Sequence, residues 1–212
     1  MDTKYEFSLN SNYDEKVLVD TTILEWEATE VKGVFQKLLS SKDDTQTALI
    51  KLEENSVLSQ VPQSNSVEIF VLEGTYLNEF GEFAQGTYLR LPKEDESLVK
   101  SIDGCVVFRK INYFDDDQTT IVPTSSSQWL SGHGNLEVLP LHQQTALVKW
   151  PKNEKFAQHK HWGGEEIFVL KGIFMDEHGK YPQGSWIRNP HLSVHFPYVE
   201  EETIIFVKTG HL

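Results

Sequence analysis

Apolar and polar residues alternate along this chain in short bursts separated by turn-forming residues. In the clearest burst, Glu165, Ile167 and Val169 alternate with Glu166, Phe168 and Leu170, a period of two that predicts a strand. Gly172 ends that run and Phe174–Asp176 resumes it. Glu177-His178-Gly179 then reads as a turn, and Tyr181–Arg188 continues with a bend at Gly184. Thr203–Lys208 is a closing β-branched strand. The first half follows the same plan, with turn chemistry at Glu79-Phe80-Gly81 and a strand at Cys105–Lys110. The opening segment, Met1–Trp26, holds one strand-like run at Lys16–Val19, expected to pack across a barrel. Val34–Leu39 is the best helix candidate, and Asp115–Gln128 reads as a connector. Many short antiparallel strands with regular turns predict small β-barrels or jelly rolls, which leave few open edges and line their interior with every second residue.

The plan repeats because the sequence does. Thr47–Lys110 aligns with Thr145–Lys208 without a gap at a constant offset (145 − 47 = 98). TALIK matches TALVK, EIFVLEG matches EIFVLKG, and QGTYLRLP matches QGSWIRNP. Each copy is large enough to bury its own core. The expected domains are therefore residues 1–118 and 119–212. What both copies keep serves folding, and what one copy alone has serves action.

Composition narrows the function. The formal charge is −13 with only 19 Lys and Arg, and no basic cluster, which argues against nucleic-acid binding. Asp115–Asp117 and Glu200–Glu202 read as solvated acidic runs. Cys105 is the sole cysteine, so intrachain disulfides and thiol-rich zinc sites are excluded. Its place in a β-like run predicts a buried structural thiol. No apolar stretch approaches membrane length, and no signal core opens the chain. A soluble, cytoplasmic protein is expected.

The chemistry lies in the second copy. His159 and His161 share one face of a strand. Trp162-Gly163-Gly164 offers a turn, after which Glu165 opens the next strand in step with Ile167 and Val169. His195 follows the Asn189–Val194 loop. Three imidazoles and one carboxylate can converge inside a barrel and hold Fe(II), Mn(II), Ni(II), Co(II) or Zn(II) with positions left open.

These residues carry a resemblance. HKHWGGEE at His159–Glu166, followed by Gly172, matches the first cupin motif, and Gly184, Pro190 and His195 match the second. Leu192 stands where that motif has a second glycine, so an altered loop is expected there. The run EEIFVLKGIFMDEHGKYPQGSWIRNP resembles the cupin domain of ChrR-type anti-sigma factors. The resemblance covers most of the chain and implies an all-β bicupin, two tandem cupin-type (jelly-roll-like) barrels with few short helices. It puts the metal ligands at His159, His161, Glu165 and His195, and implies one divalent transition metal per chain, zinc or iron foremost. It also implies homodimers. ChrR-type proteins grip a sigma factor through an N-terminal zinc-binding helical domain. No histidine or cysteine precedes Cys105 here, so a sigma-factor partner by that mode is not expected.

The first copy is an internal control. Shifting the four ligands back by 98 gives Val61, Gln63, Val67 and Ser97, while the scaffold residues Gly74, Gly86 and Pro92 persist. Metal binding is expected only in the second domain. Arg188, Glu166 and Gln158 recur as Arg90, Glu68 and Gln60, which points to structure. His178 and His191 fall in a turn and a loop and read as surface residues, and His133, His142 and His211 lack ligand spacing. Trp162, Met175, Trp186 and Phe196 differ from their counterparts Ser64, Leu77, Tyr88 and Leu98. They are candidates for an apolar pocket as well as for ordinary packing.

The resemblance implies two functions: a regulatory or small-ligand-sensing metal protein related to ChrR-type proteins, or, as in similar cupin domains, a non-haem dioxygenase cleaving C–C bonds of diketones or aryl ketones. Nucleotide loops and serine-hydrolase elbows are absent.

Overall fold

The computed structural model describes residues 8–58, 65–93 and 99–212. It divides into two compact units. The first comprises the described residues of Met1–Ser11 and Glu25–Ser126, the second Asn12–Leu24 and Ser127–Leu212.

The main sheets of the two units are matched strand for strand, and every pairing is antiparallel. In the second unit the order is Val17–Asp20, Ser185–Asn189, Glu165–Lys171, Thr203–Thr209, Thr145–Trp150, Glu137–His142 and Leu130–Ser131. In the first it is Thr120–Pro123, Thr87–Leu91, Val67–Asn78, Cys105–Ile111, Thr45–Leu52, Val34–Lys42 and Glu27–Ala28. Registers coincide as well. Glu165 pairs with Asn189 as Val67 pairs with Leu91, and Val17 pairs with Arg188 as Thr120 pairs with Arg90. Both central strands bulge just before a left-handed glycine, Gly74 (φ 69°) or Gly172 (φ 78°). A Cβ on Gly172 would lie 2.5 Å from the Glu202 carbonyl oxygen, so these glycines are fixed by backbone approach as much as by φ.

One feature of the topology differs from the plain tandem arrangement. The strand that closes the edge of each sheet comes from outside the duplicated segment. Val17–Asp20, near the start of the chain, adds to Ser185–Asn189 of the second unit, and Thr120–Pro123 adds to the first. In packing, the chain therefore divides at Ser126/Ser127, and Asn12–Leu24 joins the second unit, where the sequence reading had a single divide after residue 118. An open edge of backbone donors and acceptors is satisfied by whichever strand reaches it. A buried arginine anchors each closing segment. The Arg188 guanidinium lies over the Tyr13 ring and donates to the Asn12 carbonyl at 3.0 Å. That of Arg90 forks onto Asp116 at 2.5 and 2.7 Å and lies over Phe114. This is the structural role expected of the pair.

No helix occurs among the described residues. Val34–Leu39, expected to be helical, lies inside the strand Val34–Lys42 and pairs along Thr45–Leu52. Val34 and Leu39 are buried, and the ladder overrides a weak local helical preference. Cys105 is buried, as expected.

The interior of the first unit is apolar: Ile50, Leu52, Val67, Ile69, Val71, Tyr76, Phe83 and Leu89 belong to one cluster. The second unit has the matching cluster, with Trp150, Ile167, Val169, Phe174, Ile187 and Ile205. At its open end that cluster gives way to histidines.

Candidate metal centre

His159 and His195 are cross-strand partners in a two-stranded ladder, His159–Lys160 against Val194–His195. His161 follows on the same face as His159. Its backbone N–H donates to Ser193 at 3.1 Å and its carbonyl accepts from Leu192 at 2.8 Å, tying the two histidine-bearing loops together. The three rings form a triangle with centroids 4.5, 4.9 and 4.9 Å apart. One nitrogen from each lies within 4.8 Å of the others. Glu165 completes the set, with Oε2 3.5 Å from His161 Nε2 and 3.7 Å from His195 Nε2. The structure thus brings the three histidines into one cluster, with Glu165 beside two of them.

The loop before His195 contains a residue in a backbone conformation that favours glycine. Leu192, at the position where the motif has glycine, adopts φ 63°, a left-handed conformation costly for a side chain with a Cβ. The substitution thus puts local backbone strain into the loop that carries His195.

Electrostatics prepare these groups to act as ligands. Burial, then the neighbouring His195 and His159, push His161 down to about 3, so its ring is neutral and its lone pair available at neutral pH. Burial also lowers His159. The His159 Nδ1 lies 3.0 Å from the Ala157 carbonyl, a contact that places the proton on Nδ1 and leaves Nε2 free. Burial raises the Glu165 carboxyl, opposed by His195 and by the Asn189 amide, which donates to its Oε2 at 3.0 Å. His161 Nε2 and His195 Nε2 are only 2.9 Å apart. A single proton would satisfy that pair alone, whereas a cation would satisfy both lone pairs and the facing carboxylate. The donor set, three imidazoles and one carboxylate, fits a divalent transition metal.

The histidines open onto a cavity of about 370 Å³. Apart from the three histidines and Glu165 its walls are mostly apolar, with Trp150, Phe156, Phe174, Ile205 and Val207 foremost. Phe156 stands edge-on to His159 at 4.8 Å, and Trp150 edge-on to Phe174 at 5.5 Å. The Trp150 indole N–H is buried without a hydrogen-bond partner.

Of the four pocket candidates, Trp162 lines this cavity at its mouth and is 71% exposed. The other three do not line it. Trp186 alternates with Ile187, which faces the core, and is fully buried with its side chain on the opposite face of the sheet. Met175 is buried and lines a separate depression with Lys152 and Lys180. Phe196 follows His195 and points to the other side of the strand, 41% exposed. Strand parity separates each of them from the metal face.

Other residues went unnoticed in the sequence: Asn189, which orients Glu165, the walls Trp150, Phe156 and Phe174, and Asp176, whose Oδ2 lies 3.5 Å from His195 Nδ1. Asn189 was within reach of the internal comparison, since its counterpart is Leu91 beside Val67. His191 accepts the Gly163 N–H at 2.8 Å and so locks the turn between His161 and Glu165. The expected empty site in the first copy rests largely on Val61, Gln63 and Ser97, which lie outside the described residues. Val67 is described, and it joins the apolar cluster.

The family described as the ChrR cupin-like domain matches the sequence twice, over residues 14–115 and 117–212. The chain belongs to the ChrR cupin-like family. It carries two such domains, and no curated protein matches it. Solved structures share the fold at low identity. A provisionally assigned dioxygenase from Nostoc punctiforme superposes with a TM-score of 0.76 at 13% identity, covering 92% of this chain and 82% of its own. A provisionally assigned glyoxylate-induced protein from Pseudomonas aeruginosa gives 0.77 at 8% identity, covering 98% and 91%. The oxalate decarboxylase of Lactobacillus farciminis, solved with formate, gives 0.65 at 10% identity, covering 92% and 86%. Among the described residues of this ChrR cupin-like chain, no helix is long and apolar enough to cross a membrane.

Proposed function

We propose that the second cupin unit binds one divalent transition metal through His159, His161, Glu165 and His195. Positions left open on the metal would take a small, largely apolar ligand. The observation that supports this reading is the juxtaposition of three clustered histidines and the adjacent Glu165 with a mostly apolar cavity of about 370 Å³, the size of a small-molecule site rather than of a structural metal site. A bound metal would supply a Lewis-acidic centre with vacant positions for oxygen donors. The protein's own contributions are separable. Glu165 offsets part of the cation's charge, and Asn189 holds that carboxylate in place. Trp150, Phe156 and Phe174 exclude water, and the unpartnered Trp150 N–H offers one donor to a ligand acceptor.

The first reading is sensory or regulatory: ligand binding at the metal alters a protein contact. Zinc and iron are the foremost candidates for the ion, and a homodimer is the expected solution state. The second reading, oxygen-dependent cleavage of diketones or aryl ketones, is favoured by the mostly apolar cavity beside the histidine triangle. The deciding experiment begins with elemental analysis of untagged protein, expected to give one metal per chain and almost none in His161→Ala. Oxygen uptake is then measured on the metal-loaded protein with a panel of β-diketones and hydroxyaryl ketones. Uptake that disappears in His161→Ala establishes the enzyme, and ligand-induced quenching of tryptophan fluorescence without uptake establishes the sensor. Absence of metal from both proteins would refute the proposal.

A further inference from the structure

Asp176 sits at the end of Ile173–Asp176, immediately before the turn to Gly179–Pro182. Its side chain is 1% exposed. One carboxylate oxygen, Oδ1, accepts from the backbone N–H of His178 at 2.8 Å, from that of Gly179 at 3.1 Å and from the Tyr181 hydroxyl at 2.7 Å. The other, Oδ2, accepts from Lys16 Nζ at 3.1 Å and faces His195 Nδ1 at 3.5 Å. That imidazole nitrogen is buried and has no hydrogen-bond partner, while Nε2 of the same ring points to the other ligands. Lys16 also donates to the Tyr181 hydroxyl at 3.2 Å. It arrives on the closing segment Asn12–Leu24, more than a hundred residues away in sequence.

The first unit shows which part of this arrangement the fold itself needs. Its matching hairpin pairs Asn78 with Gly81, as Asp176 pairs with Gly179. Asn78 Oδ1 accepts the Phe80 N–H at 2.9 Å, the same turn contact that Asp176 makes to His178. An amide is therefore sufficient for the turn. The registers also equate Tyr181 with Phe83 and Lys16 with Thr119. The carboxylate, the hydroxyl and the ammonium are all missing from the copy that lacks the ligand set.

We infer that Asp176, held by Tyr181 and by Lys16 of the closing segment, is the positioning residue of His195, fixing its ring with Nε2 toward the metal and thereby coupling metal affinity to docking of residues 12–24. A carboxylate at the distal nitrogen orients a ligand imidazole and raises its basicity. This inference rests on the proposed metal site.

The test is Zn(II) affinity by competition with a chromophoric chelator, together with the visible spectrum of the Co(II) form. Asp176→Asn keeps the turn contact that Asn78 already makes, so the metal-free variant should melt within a few degrees of the parent. Its Zn(II) affinity should fall roughly 10–100-fold, with a shifted Co(II) spectrum. Lys16→Met, which leaves Oδ1 and its three donors in place, should fall several-fold in the same direction. Should Asp176→Asn fail to fold, Lys16→Met decides alone. Parent-like affinity and spectrum in every folded variant would overturn the inference while leaving the metal site standing. A parent protein that binds neither metal would overturn both.

Discussion

His161 should make the metal-free second unit lose stability in acid. Its side chain is 6% exposed and its folded value sits at about 3, against an ordinary 6.5. The unfolded chain takes up a proton on this ring as pH falls through 6.5. The folded chain does not until about 3. Between those values the unfolded state binds more protons, so stability is full above 6.5 and declines as pH drops. Between pH 7 and pH 5 the loss attributable to this group is about 2 kcal/mol. Glu165, raised by burial, works in the opposite sense, gaining stability as pH falls, but it does so with or without the histidine. The comparison is therefore between the parent and His161→Gln, a change with a precedent in the chain itself, since the matching residue of the first copy is Gln63. Urea unfolding of chelator-treated protein at pH 7 and pH 5, followed by tryptophan fluorescence, measures the difference. Four of the five tryptophans, Trp129, Trp150, Trp162 and Trp186, lie in the second unit and report on it. The variant should lose about 2 kcal/mol less than the parent over that interval. Equal losses in the two proteins would refute the reasoning.

Three further outcomes follow from the geometry. Restoring the metal at a hundred times its dissociation constant should stabilise the second unit by about 2.7 kcal/mol, visible as a rise in melting temperature that chelator reverses. Leu192→Gly should stabilise the metal-free protein by about 0.5–1 kcal/mol in urea titrations, because it relieves a left-handed leucine. Gly172→Ala should cost about 2 kcal/mol or more, since the added Cβ would meet the Glu202 carbonyl at 2.5 Å in a left-handed backbone; a calorimetric melt unchanged from the parent would contradict this.

Much of the site was legible because its signals are local. His159 and His161 share a strand face by period two, and Glu165 is in phase with Ile167 and Val169, both of which lie in the core. The 98-residue offset then separated ligands from scaffold, and the same offset carried Asn189, Asp176 and Tyr181, whose counterparts are Leu91, Asn78 and Phe83. Those residues escaped notice because an amide, a turn aspartate and a tyrosine have ordinary structural uses and reveal a purpose only beside what they touch. Trp186, Met175 and Phe196 misled for the converse reason. Aromatic and sulfur side chains close in sequence to a ligand fall on whichever face parity assigns.

Sequence by itself determined the all-β class, the duplication and the three histidines and glutamate proposed as ligands, which the matched positions of the first copy lack, since each depends on periodicity or on residue identity at matched positions. Tertiary structure alone decided that Val34–Leu39 extends as a strand, that Leu192 bears the strain of a glycine position, and that the segment around Lys16 closes the second sheet beneath His195. Those outcomes depend on which backbone edge a strand meets and on which buried charge a distant side chain reaches, and neither is encoded within the span of a motif.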